Sequence, residues 1–444
     1  MILKNKRTRE CNLKEITRQK ANFSVLLRHM KYFFTLGNHP DLSISEIEVK
    51  LQQLVGTFSI IAEDDYYLVI ETESFDSDDS AQDLREEIDL GELIGKLGGT
   101  IKVGKVVHSS EKIDQDELKK LIDLKTEGKN VFGISSYGFD GDTKRMGLGI
   151  KKELKGKGFS VRYVDSKENP LSSVIVQQEI IKKGGTEICI LKDNFKIHLG
   201  KTVAVQDFKK FSHFDYDRPE ADKKKGMLPP KLAQIMINLA GKDVDSVVYD
   251  PFCGNGTVLQ QAILLGHKKV IGSDNDSEQI EKTERNLEWL GREIRNSKLE
   301  TQNSELRSTT ENRVNEDKSE DFASEIFRAD AGDEGELKEN TVDMVVSEPY
   351  MGPPLRGNES YESIEKNIVE LKELYRRSFI EFNRVLKDDG VVVFIVPSFI
   401  VNNKEFEIDV EEIVPAGMRI ERDWQYSREN QRVIRNIFRI DKVR

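Results

Sequence analysis

The chain has 444 residues, enough for roughly two to four domains of ordinary size, and its net charge of −11 argues against a protein that coats nucleic acid indiscriminately. The longest apolar run, residues 391–401, is interrupted by Pro397 and Ser398 and is too short to cross a bilayer, so we expect no membrane partner. Three cysteines and six histidines lie scattered without ligand spacing, which predicts no metal site and a reducing, cytoplasmic location.

The first part of the chain predicts a basic arm followed by a small α+β domain. Residues 1–27 are rich in lysine and arginine and predict a partly helical arm. Residues 28–125 then alternate short strands and helices, beginning with a strand at 32–37 and a capped helix after Asp41.

A second α+β unit is predicted over residues 126–206. A basic helix from Lys144 to Lys157 lies among its strands, and basic segments of an acidic protein can form a local phosphate-binding face. Residues 207–229 are polar and contain prolines, so they predict a linker. The strands of this unit are predicted at 131–137, 160–164, 174–177, 186–192 and 201–205.

From residue 230 to residue 444 the pattern changes to alternating strands and helices. Such alternation predicts an α/β domain with a mainly parallel sheet covered on both faces. Residues 292–324 are the exception, because they are polar and almost free of apolar side chains. We predict that they form a disordered or mobile insertion between two sheet elements.

The strongest chemical signal is the segment 250–257, Asp-Pro-Phe-Cys-Gly-Asn-Gly-Thr, which follows a predicted strand and opens a predicted helix. Glycines let the backbone approach a ligand closely at the carboxyl end of a strand, the usual binding edge of open α/β sheets. A phosphate-loop lysine is missing, so no NTP site is expected, and we interpret Cys253 as a small packed residue. The ligand-binding residues predicted in this loop are Asp250, Pro251, Phe252, Gly254 and Gly256.

Polar residues also follow the next three predicted strands. Asp274 ends the second strand, where a carboxylate can accept hydrogen bonds from ribose hydroxyls, and Asp330 with Ala331 follows the third, where it can meet an adenine edge. A Ser-Glu-Pro-Tyr element at 347–350 follows the fourth. Four such signals at consecutive strand ends predict one binding site along one edge of the sheet.

Together these motifs resemble the S-adenosylmethionine-dependent amino-methyltransferases, whose fourth motif is usually Asn, Asp or Ser, then Pro-Pro and an aromatic residue. Upstream, segments 132–138, 160–164 and 200–208 resemble a THUMP module, and 226–233 resembles the helix that precedes the catalytic core of THUMP-linked tRNA guanine-N2 methyltransferases. The resemblance covers roughly residues 30–290 and 326–400.

The resemblance implies a C-terminal Rossmann-like methyltransferase domain, preceded by ferredoxin-like and THUMP-like α+β domains. It further implies S-adenosylmethionine as cofactor, tRNA as substrate, and methyl transfer to the exocyclic N2 amine of a guanine. Two alternatives remain open: an amino-methyltransferase acting on DNA adenine or cytosine, and an RNA-binding protein without catalysis.

By the same resemblance the catalytic residues are Ser347, Glu348, Pro349 and Tyr350, but the usual Asp-Pro-Pro-Tyr stands here as Ser-Glu-Pro-Tyr. Ser347 is a much weaker base than aspartate, and Glu348 stands where proline is usual. Either Ser347 keeps the role of accepting from the amine, or the carboxylate of Glu348 takes it over. Tyr350 is placed to stack on an extruded base, or alternatively to pack beneath the loop.

Two groups of basic residues lie outside these motifs. The arginines near the end of the chain, Arg428, Arg432, Arg435 and Arg439, are interpreted as a solvated face, with phosphate contact as the alternative. RNA contact is predicted for the helix in the THUMP-like segment, through Lys144, Arg145, Lys151, Lys152 and Lys155.

Overall fold

The structure is a computed structural model that describes residues 27–75, 88–221, 227–306, 322–428 and 431–443, and all structural statements below concern these residues. Within this part of the chain, no helix combines the length and the apolar character that crossing a bilayer requires. The predicted basic arm lies outside the described residues except for its last residue, Leu27, which begins the first strand.

The N-terminal half is built around one sheet of eight strands in the order β2-β3-β1-β4-β8-β7-β5-β6. Six helices accompany the sheet: α1 (Pro40–Leu54), α2 (Leu90–Gly95), α3 (Gln115–Lys120), α4 (Thr143–Gly156), α5 (Ser173–Ile175) and α6 (Phe208–Tyr216). The strands are β1 (Leu27–Leu36), β2 (Phe58–Asp64), β3 (Tyr67–Phe75), β4 (Thr100–Ser110), β5 (Asn130–Tyr137), β6 (Val161–Val164), β7 (Thr186–Lys192) and β8 (Ile197–Val205).

The two small units predicted from the sequence share this sheet. Strand β4 of the first unit pairs antiparallel with β8 of the second, from Lys102 opposite Val205 to Ser110 opposite Ile197. Backbone hydrogen bonds therefore run continuously across the predicted boundary between residues 125 and 126. A sequence pattern marks the strands of each unit, but it carries no information about which strand edges pair.

One predicted strand of the second unit, 174–177, is wrong. These residues are helical, in α5 and in the π-helical turn Val176–Ile180 that follows it. The side chain of Ser172 caps this segment by accepting a hydrogen bond from the backbone of Ile175, and Val176 and Ile180, four residues apart, are both fully buried. Apolar spacing of four residues buries one face of a helix, and this packing overrides the β propensity of the valines and isoleucines.

The region predicted as a linker, 207–229, is also more ordered than a polar connector. Asp207 caps α6, and the buried Arg218 donates a hydrogen bond from Nη1 to Oγ1 of Thr257, 2.7 Å away, in the C-terminal half. Of this stretch, residues 222–226 lie outside the described part of the chain.

The C-terminal half is a second large sheet in the order β11-β10-β9-β12-β13-β16-β15, with β14 paired to the far end of β13. The first five strands in this order run parallel, and β16 and β15 are antiparallel, so the predicted α/β fold with a mainly parallel sheet is confirmed. The helices are α7 (Pro230–Ala240), α8 (Thr257–Leu264), α9 (Ser277–Leu306) and α10 (Tyr361–Val385). The strands are β9 (Val247–Asp250), β10 (Lys269–Asp274), β11 (Ala323–Arg328), β12 (Val342–Ser347), β13 (Leu386–Val401), β14 (Lys404–Phe406), β15 (Met418–Tyr426) and β16 (Val433–Lys442).

Each face of this sheet has its own apolar core. On one face α7 and α8 pack with side chains such as Met236 and Leu259, and on the other α10 packs with Phe379 and Phe382. The predicted polar insertion 292–324 begins inside α9, because Ile294 still packs against the first core and prolongs the helix. Residues 307–321 of that insertion lie outside the described residues.

The two halves are joined by a fully buried carboxylate, Glu46 of α1. Its Oε1 accepts hydrogen bonds from the backbone N–H of Gly98 at 2.8 Å and from Nδ2 of Asn238, in α7, at 2.7 Å, and its Oε2 accepts from the N–H of Gly99 at 2.8 Å. A side chain at Gly98 would not fit, since its Cβ would lie 2.3 Å from the carbonyl oxygen of Lys231. The halves therefore meet through direct backbone contact and a satisfied buried acceptor.

We predict that Glu46→Ala lowers the free energy of unfolding by about 3 kcal/mol or more, because it leaves the two backbone N–H groups of Gly98 and Gly99 buried without an acceptor and removes one of the two acceptors of the Asn238 amide. Urea denaturation at neutral pH measures this. Glu48→Ala is the matched control on the same helix, because Glu48 forms a solvated ion pair with Arg422 at 3.3 Å, which is worth less than about 1 kcal/mol. Equal losses in the two variants would contradict a joining role for Glu46.

Candidate active site

The glycine-rich loop 250–257 turns the chain sharply from β9 into α8. Gly254 has φ +54° and Gly256 has φ +80°, and a Cβ at Gly256 would lie 3.1 Å from the side chain of Thr283. Thr283 in turn donates from Oγ1 to the carbonyl of Gly254 at 2.8 Å, and the N–H of Cys253 donates to the carbonyl of Ser273 at 2.9 Å. The loop is thus folded back on the end of β10, which exposes its backbone at the carboxyl edge of the sheet.

Because β11, β10, β9 and β12 are parallel neighbours, the polar residues that follow them meet at one edge of the sheet. They surround a cavity of about 530 Å³, within the range of small-molecule and cofactor sites. Of the predicted catalytic and cofactor-binding residues, Gly256 and Ser347 do not line this cavity; those that do are Asp250, Pro251, Phe252, Gly254, Asp274, Asp330, Ala331, Glu348, Pro349 and Tyr350.

Sequence reasoning did not single out several other lining residues. Asp276 and Gln279 follow Asp274 closely, and a polar run after a strand could have signalled them. Met227, Leu228 and Leu374 carried no such signal, because they reach the cavity from the segment before α7 and from α10. Apolar side chains become part of a site only through the packing of distant elements.

The carboxylate of Asp274 organises the turns around it. Its Oδ2 accepts from the N–H of Gly254 and its Oδ1 from the N–H of Asp276, each at 3.0 Å. Burial raises the pKa of Asp274, and these backbone hydrogen bonds oppose the rise. On the next strand, Oδ1 of Asp330 accepts from the N–H of Gly332 at 2.9 Å. Both carboxylates are held in fixed positions and line the cavity.

Ser347 lies deeper than the prediction implied. Its hydroxyl is fully buried and donates to Oδ1 of Asp250 at 2.6 Å, and the N–H of Phe252 reaches the same oxygen at 3.2 Å. Burial raises the pKa of Asp250 to about 7, because these two hydrogen bonds only partly offset the lost hydration and the nearby charges of Asp274 and Glu348 raise it further. Ser347 is therefore engaged with a carboxylate rather than directed to the cavity.

Glu348, the next residue, does line the cavity, and it is paired with Arg435 of β16. The guanidinium Nε donates to Oε1 of Glu348 at 2.5 Å, and the two side chains are 9% and 13% exposed. Burial raises the pKa of Glu348, while the charge and the hydrogen bond of Arg435 oppose that rise.

The interpretation of the C-terminal arginines as a solvated face is therefore wrong for two of them. Arg435 is buried against Glu348, and Arg439 donates from Nη1 to the carbonyl of Leu239 at 3.1 Å and pairs with Asp441. Both belong to β16, which lies between β13 and β15 inside the sheet. This strand arrangement, which the arginine spacing did not reveal, buries Arg435 and partly covers Arg439.

Tyr350 ends the loop with an exposed ring and a fixed backbone. Its side chain is 57% exposed, while its carbonyl accepts a hydrogen bond from the hydroxyl of the buried Tyr375 at 2.6 Å. Such exposure is compatible with a stacking surface for a base and disfavours the alternative in which the ring packs beneath the loop.

The described side chains that line the cavity include acidic groups and no basic ones. Five carboxylates line it, and no lysine or arginine is among the described residues of its wall; the five are Asp250, Asp274, Asp276, Asp330 and Glu348. A cationic or hydroxyl-rich ligand is favoured there over one that carries phosphate. Within the described residues, no group of three or more metal-ligating side chains is arranged to hold a metal ion.

The basic helix lies far along the chain in the N-terminal sheet, as α4. Its buried face consists of Thr143, Gly147, Ile150 and Leu154, which leaves the basic residues on the other side. Lys144 pairs with Asp165 at 2.7 Å, and Arg145, Lys152 and Lys155 are exposed. A contact of these side chains with RNA stays a prediction.

Comparison with known proteins defines the class of domain that this site belongs to. Residues 219–409 match the family model of the RMKL-like methyltransferase domain. A second family model, described as DNA methylase, matches residues 111–286, which include the glycine-rich loop but end before Ser347. The predicted S-adenosylmethionine-dependent methyltransferase domain is thus confirmed at the level of the domain family.

Two curated relatives carry the name tRNA (guanine(10)-N2)-dimethyltransferase. The one from Methanothermobacter thermautotrophicus is 27% identical over 51% of this chain and 53% of its own length. The one from Methanocaldococcus jannaschii is 26% identical over 58% of this chain and 65% of its own length. The chain therefore spans between about half and two thirds of the curated relatives that it matches. The predicted resemblance to this group of enzymes is confirmed.

Among solved structures, TrmN from Thermus thermophilus is similar to this chain with a TM-score of 0.48 and 14% sequence identity. The similarity covers 93% of this chain and all of that chain.

We predict that Asp250→Asn stabilises the ligand-free protein increasingly as pH rises. The folded state holds the proton of Asp250 up to pH about 7, whereas the unfolded state releases it near pH 4. The free energy of unfolding of the wild type therefore decreases as pH rises from about 4 to about 7. An amide keeps the hydrogen bond from Ser347 but cannot ionise, so the variant should gain up to about 4 kcal/mol over wild type across that window.

Urea denaturation of both proteins between pH 4 and pH 8 measures this difference in the free energy of unfolding. Asp245→Asn is the control, because Asp245 is an exposed carboxylate at the opposite end of β9 and its loss should leave the gap independent of pH. A stability difference for Asp250→Asn that does not change with pH would contradict the buried, proton-holding state of this carboxyl.

Proposed function

We propose that this protein transfers the methyl group of S-adenosylmethionine to the exocyclic N2 amine of a guanine in tRNA. The observation that carries the proposal is the acidic cavity bounded on one side by the glycine-rich loop and on the other by Glu348, Pro349 and Tyr350. The matching domain family and the names of the two curated relatives support the same reaction.

The residues of the cavity fit the proposed cofactor by their chemistry. Asp274 is the acceptor for the ribose hydroxyls, Asp330 is the acceptor for the amino group of adenine, and Asp250 faces the ammonium group of the methionine part. Five carboxylates without a counter-charge in the lining favour a ligand that carries positive charge. When bound, the cofactor supplies a methyl group on a positively charged sulfur.

The residues of the chain have to orient and deprotonate the amine, which is a poor nucleophile because its lone pair is delocalised into the ring. Glu348 is the acceptor within reach of the cavity, since the hydroxyl of Ser347 is buried against Asp250. As the nitrogen–carbon bond forms and the sulfur–carbon bond breaks, the electron pair stays on sulfur and Glu348 receives the proton that nitrogen loses.

Pro349 and Tyr350 complete the loop on the side of the substrate. The backbone carbonyl of Pro349 is the second acceptor for the amine, because the carbonyl of Tyr350 is already bonded to Tyr375. The exposed ring of Tyr350 stacks on the extruded guanine, which fixes the amine in the line of transfer. Ser347 acts indirectly, by holding the buried carboxyl of Asp250 in place.

A second candidate is an amino-methyltransferase acting on adenine or cytosine in DNA. The match of residues 111–286 to the DNA methylase model favours it. A non-catalytic RNA-binding protein is the third possibility. One experiment separates the three: incubation with a labelled methyl donor and total tRNA or duplex DNA, followed by mass spectrometry of the nucleosides.

The expected product is N2-methylated or N2,N2-dimethylated guanosine from the tRNA sample alone. Methylated adenine or cytosine from the DNA sample would favour the second candidate and overturn the proposal. Binding of tRNA without any methylated product would favour the third.

We predict that Asp274→Asn weakens the binding of S-adenosylmethionine by about 10- to 100-fold, because hydrogen bonds to a charged acceptor are worth about 1.5–3 kcal/mol. Calorimetric titration measures the affinity. Asp243→Asn is the matched control, because Asp243 also accepts hydrogen bonds in a turn, from Ser246 and Asp245, but at the amino end of β9. Unchanged affinity in Asp274→Asn would remove this residue from the cofactor site.

For the substrate, we predict that replacing both Lys152 and Lys155 by alanine weakens tRNA binding and lowers the slope of log affinity against log salt by about 1.4–1.8. The physical reason is that each phosphate contact releases a counterion when it forms. Filter binding between 50 and 200 mM salt measures the slope. Lys268 and Lys269 provide the control pair, since they lie at the amino end of β10, opposite to the cavity. An unchanged slope in the Lys152 and Lys155 variant would contradict an RNA contact by α4.

A further inference from the structure

The ion pair between Glu348 and Arg435 has no counterpart in the motifs that pointed to the site. Arg435 lies in the last forty residues of the chain, near the start of β16, opposite Pro397 in the register with β13. Because β16 runs antiparallel to β13, its first residues lie at the carboxyl edge of the parallel strands, where the cavity is. The last strand of the sheet thereby brings a cation to the carboxylate that follows β12.

The contact with Arg435 involves only one of the two oxygens of the Glu348 carboxylate. The hydrogen bond from Nε of Arg435 reaches Oε1 of Glu348 at 2.5 Å, and an ionised carboxylate has about four acceptor positions on its two oxygens. Glu348 also lines the cavity, so capacity remains for hydrogen bonds from a ligand in it. An ionised carboxylate offers acceptors only, and it therefore suits an edge that presents adjacent N–H donors.

Among the bases, guanine has such an edge: its N1–H and its N2 amine are adjacent donors. Adenine and cytosine each place their amine beside an unprotonated ring nitrogen, whose lone pair would face the carboxylate. We propose that Glu348, held in place and ionised by Arg435, selects guanine as the methylated base by accepting hydrogen bonds from both N1–H and the N2 amine. This inference rests on the proposed function and adds the determinant of its base specificity.

The selection follows from the cost of unpaired polar groups. A site built to pair with a donor rejects an analogue that lacks it, because its buried acceptor then stays without a partner. In this proposal Glu348 touches the base, whereas Arg435 is a positioning residue that acts through Glu348. For the same reason, the ion pair of Glu348 and Arg435 disfavours methylation of the amino group of adenine or cytosine in DNA.

The test compares two substrates for each enzyme variant. One is a tRNA with its own methylated guanosine, located by mass spectrometry of nuclease fragments, and the other carries 2,6-diaminopurine there, which keeps the N2 amine but lacks N1–H. We expect the wild type to prefer guanine by about 10- to 100-fold in kcat/KM. Glu348→Gln should lose or reverse this preference, because its amide can donate to the unprotonated N1 while its oxygen accepts from the amine.

A ratio of two substrates is insensitive to a fold-wide defect, which lowers both rates alike. Glu381→Gln is the matched control, because Glu381 also forms a largely buried pair, with Arg384 at 2.6 Å, outside the cavity lining. It should keep the preference of the wild type. The same preference in Glu348→Gln as in the wild type would overturn the inference while leaving the proposed function intact. Absence of guanine methylation by the wild type would instead overturn the proposed function itself.

The role of Arg435 is tested by the pH dependence of kcat/KM. The charged and titratable groups that interact with Glu348 are Arg435 from β16, Asp250 from β9 and Tyr375 from α10. Without the cation, Glu348 holds its proton to higher pH, so Arg435→Met should shift the acidic limb of the profile to higher pH, and Arg435→Lys should largely restore it. A uniform loss at all pH values in both variants would assign Arg435 a merely structural role.

Discussion

Carboxylates that are gathered into a partly dehydrated cavity repel one another, and the C-terminal half of this protein is arranged around that constraint. Five of them line one cavity, and none of the described lining residues is a cation. Hydrogen-bond donors of the protein offset part of this repulsion. Ser347 donates to Asp250, backbone N–H groups donate to Asp274, and Arg435 pairs with Glu348. The cavity keeps its negative character for a cationic ligand, while these three carboxylates each accept a hydrogen bond from the protein.

Asp250 and Glu348 differ in how they are compensated, and this difference gives them different chemistry. Asp250 is bonded to neutral donors only, so burial raises its pKa to about 7. Glu348 is bonded to a guanidinium, whose charge opposes the effect of burial on its pKa. The ligand-free protein therefore stores an unfavourable buried charge at Asp250 above neutral pH. A bound cation would relieve it, and binding sites often carry such a cost in stability.

A second buried carboxylate lies where the N-terminal half meets the C-terminal half. Glu46 is fully buried and satisfies donors from three places, namely Gly98, Gly99 and Asn238. A second polar contact, from Nε1 of Trp424 to Oγ of Ser45 at 2.8 Å, lies on the same helix α1. These contacts dock the sheet that carries the basic helix α4 directly onto the methyltransferase domain. In the proposed function such docking fixes where a bound tRNA presents its base.

The sequence alone determined the local chemistry of the site. Hydrophobic alternation predicted the parallel sheet, and the carboxylates that follow its strands had to meet because parallel strands share one carboxyl edge. The glycine-rich loop was predictable for the same reason, since positive φ angles at Gly254 and Gly256 are needed for the turn into α8.

Only the tertiary structure decided which groups pair across long distances in sequence. Ser347 and Asp250 are 97 residues apart, Arg435 and Glu348 are 87 apart, and Glu46 and Asn238 are 192 apart. A hydrogen bond between such residues depends on strand order, on the direction of β16 and on the joining of two predicted domains into one sheet through β4 and β8. Local sequence patterns report the periodicity of one element at a time and do not encode these pairings, so the distinction between the buried Ser347 and the accessible Glu348 emerged from packing alone.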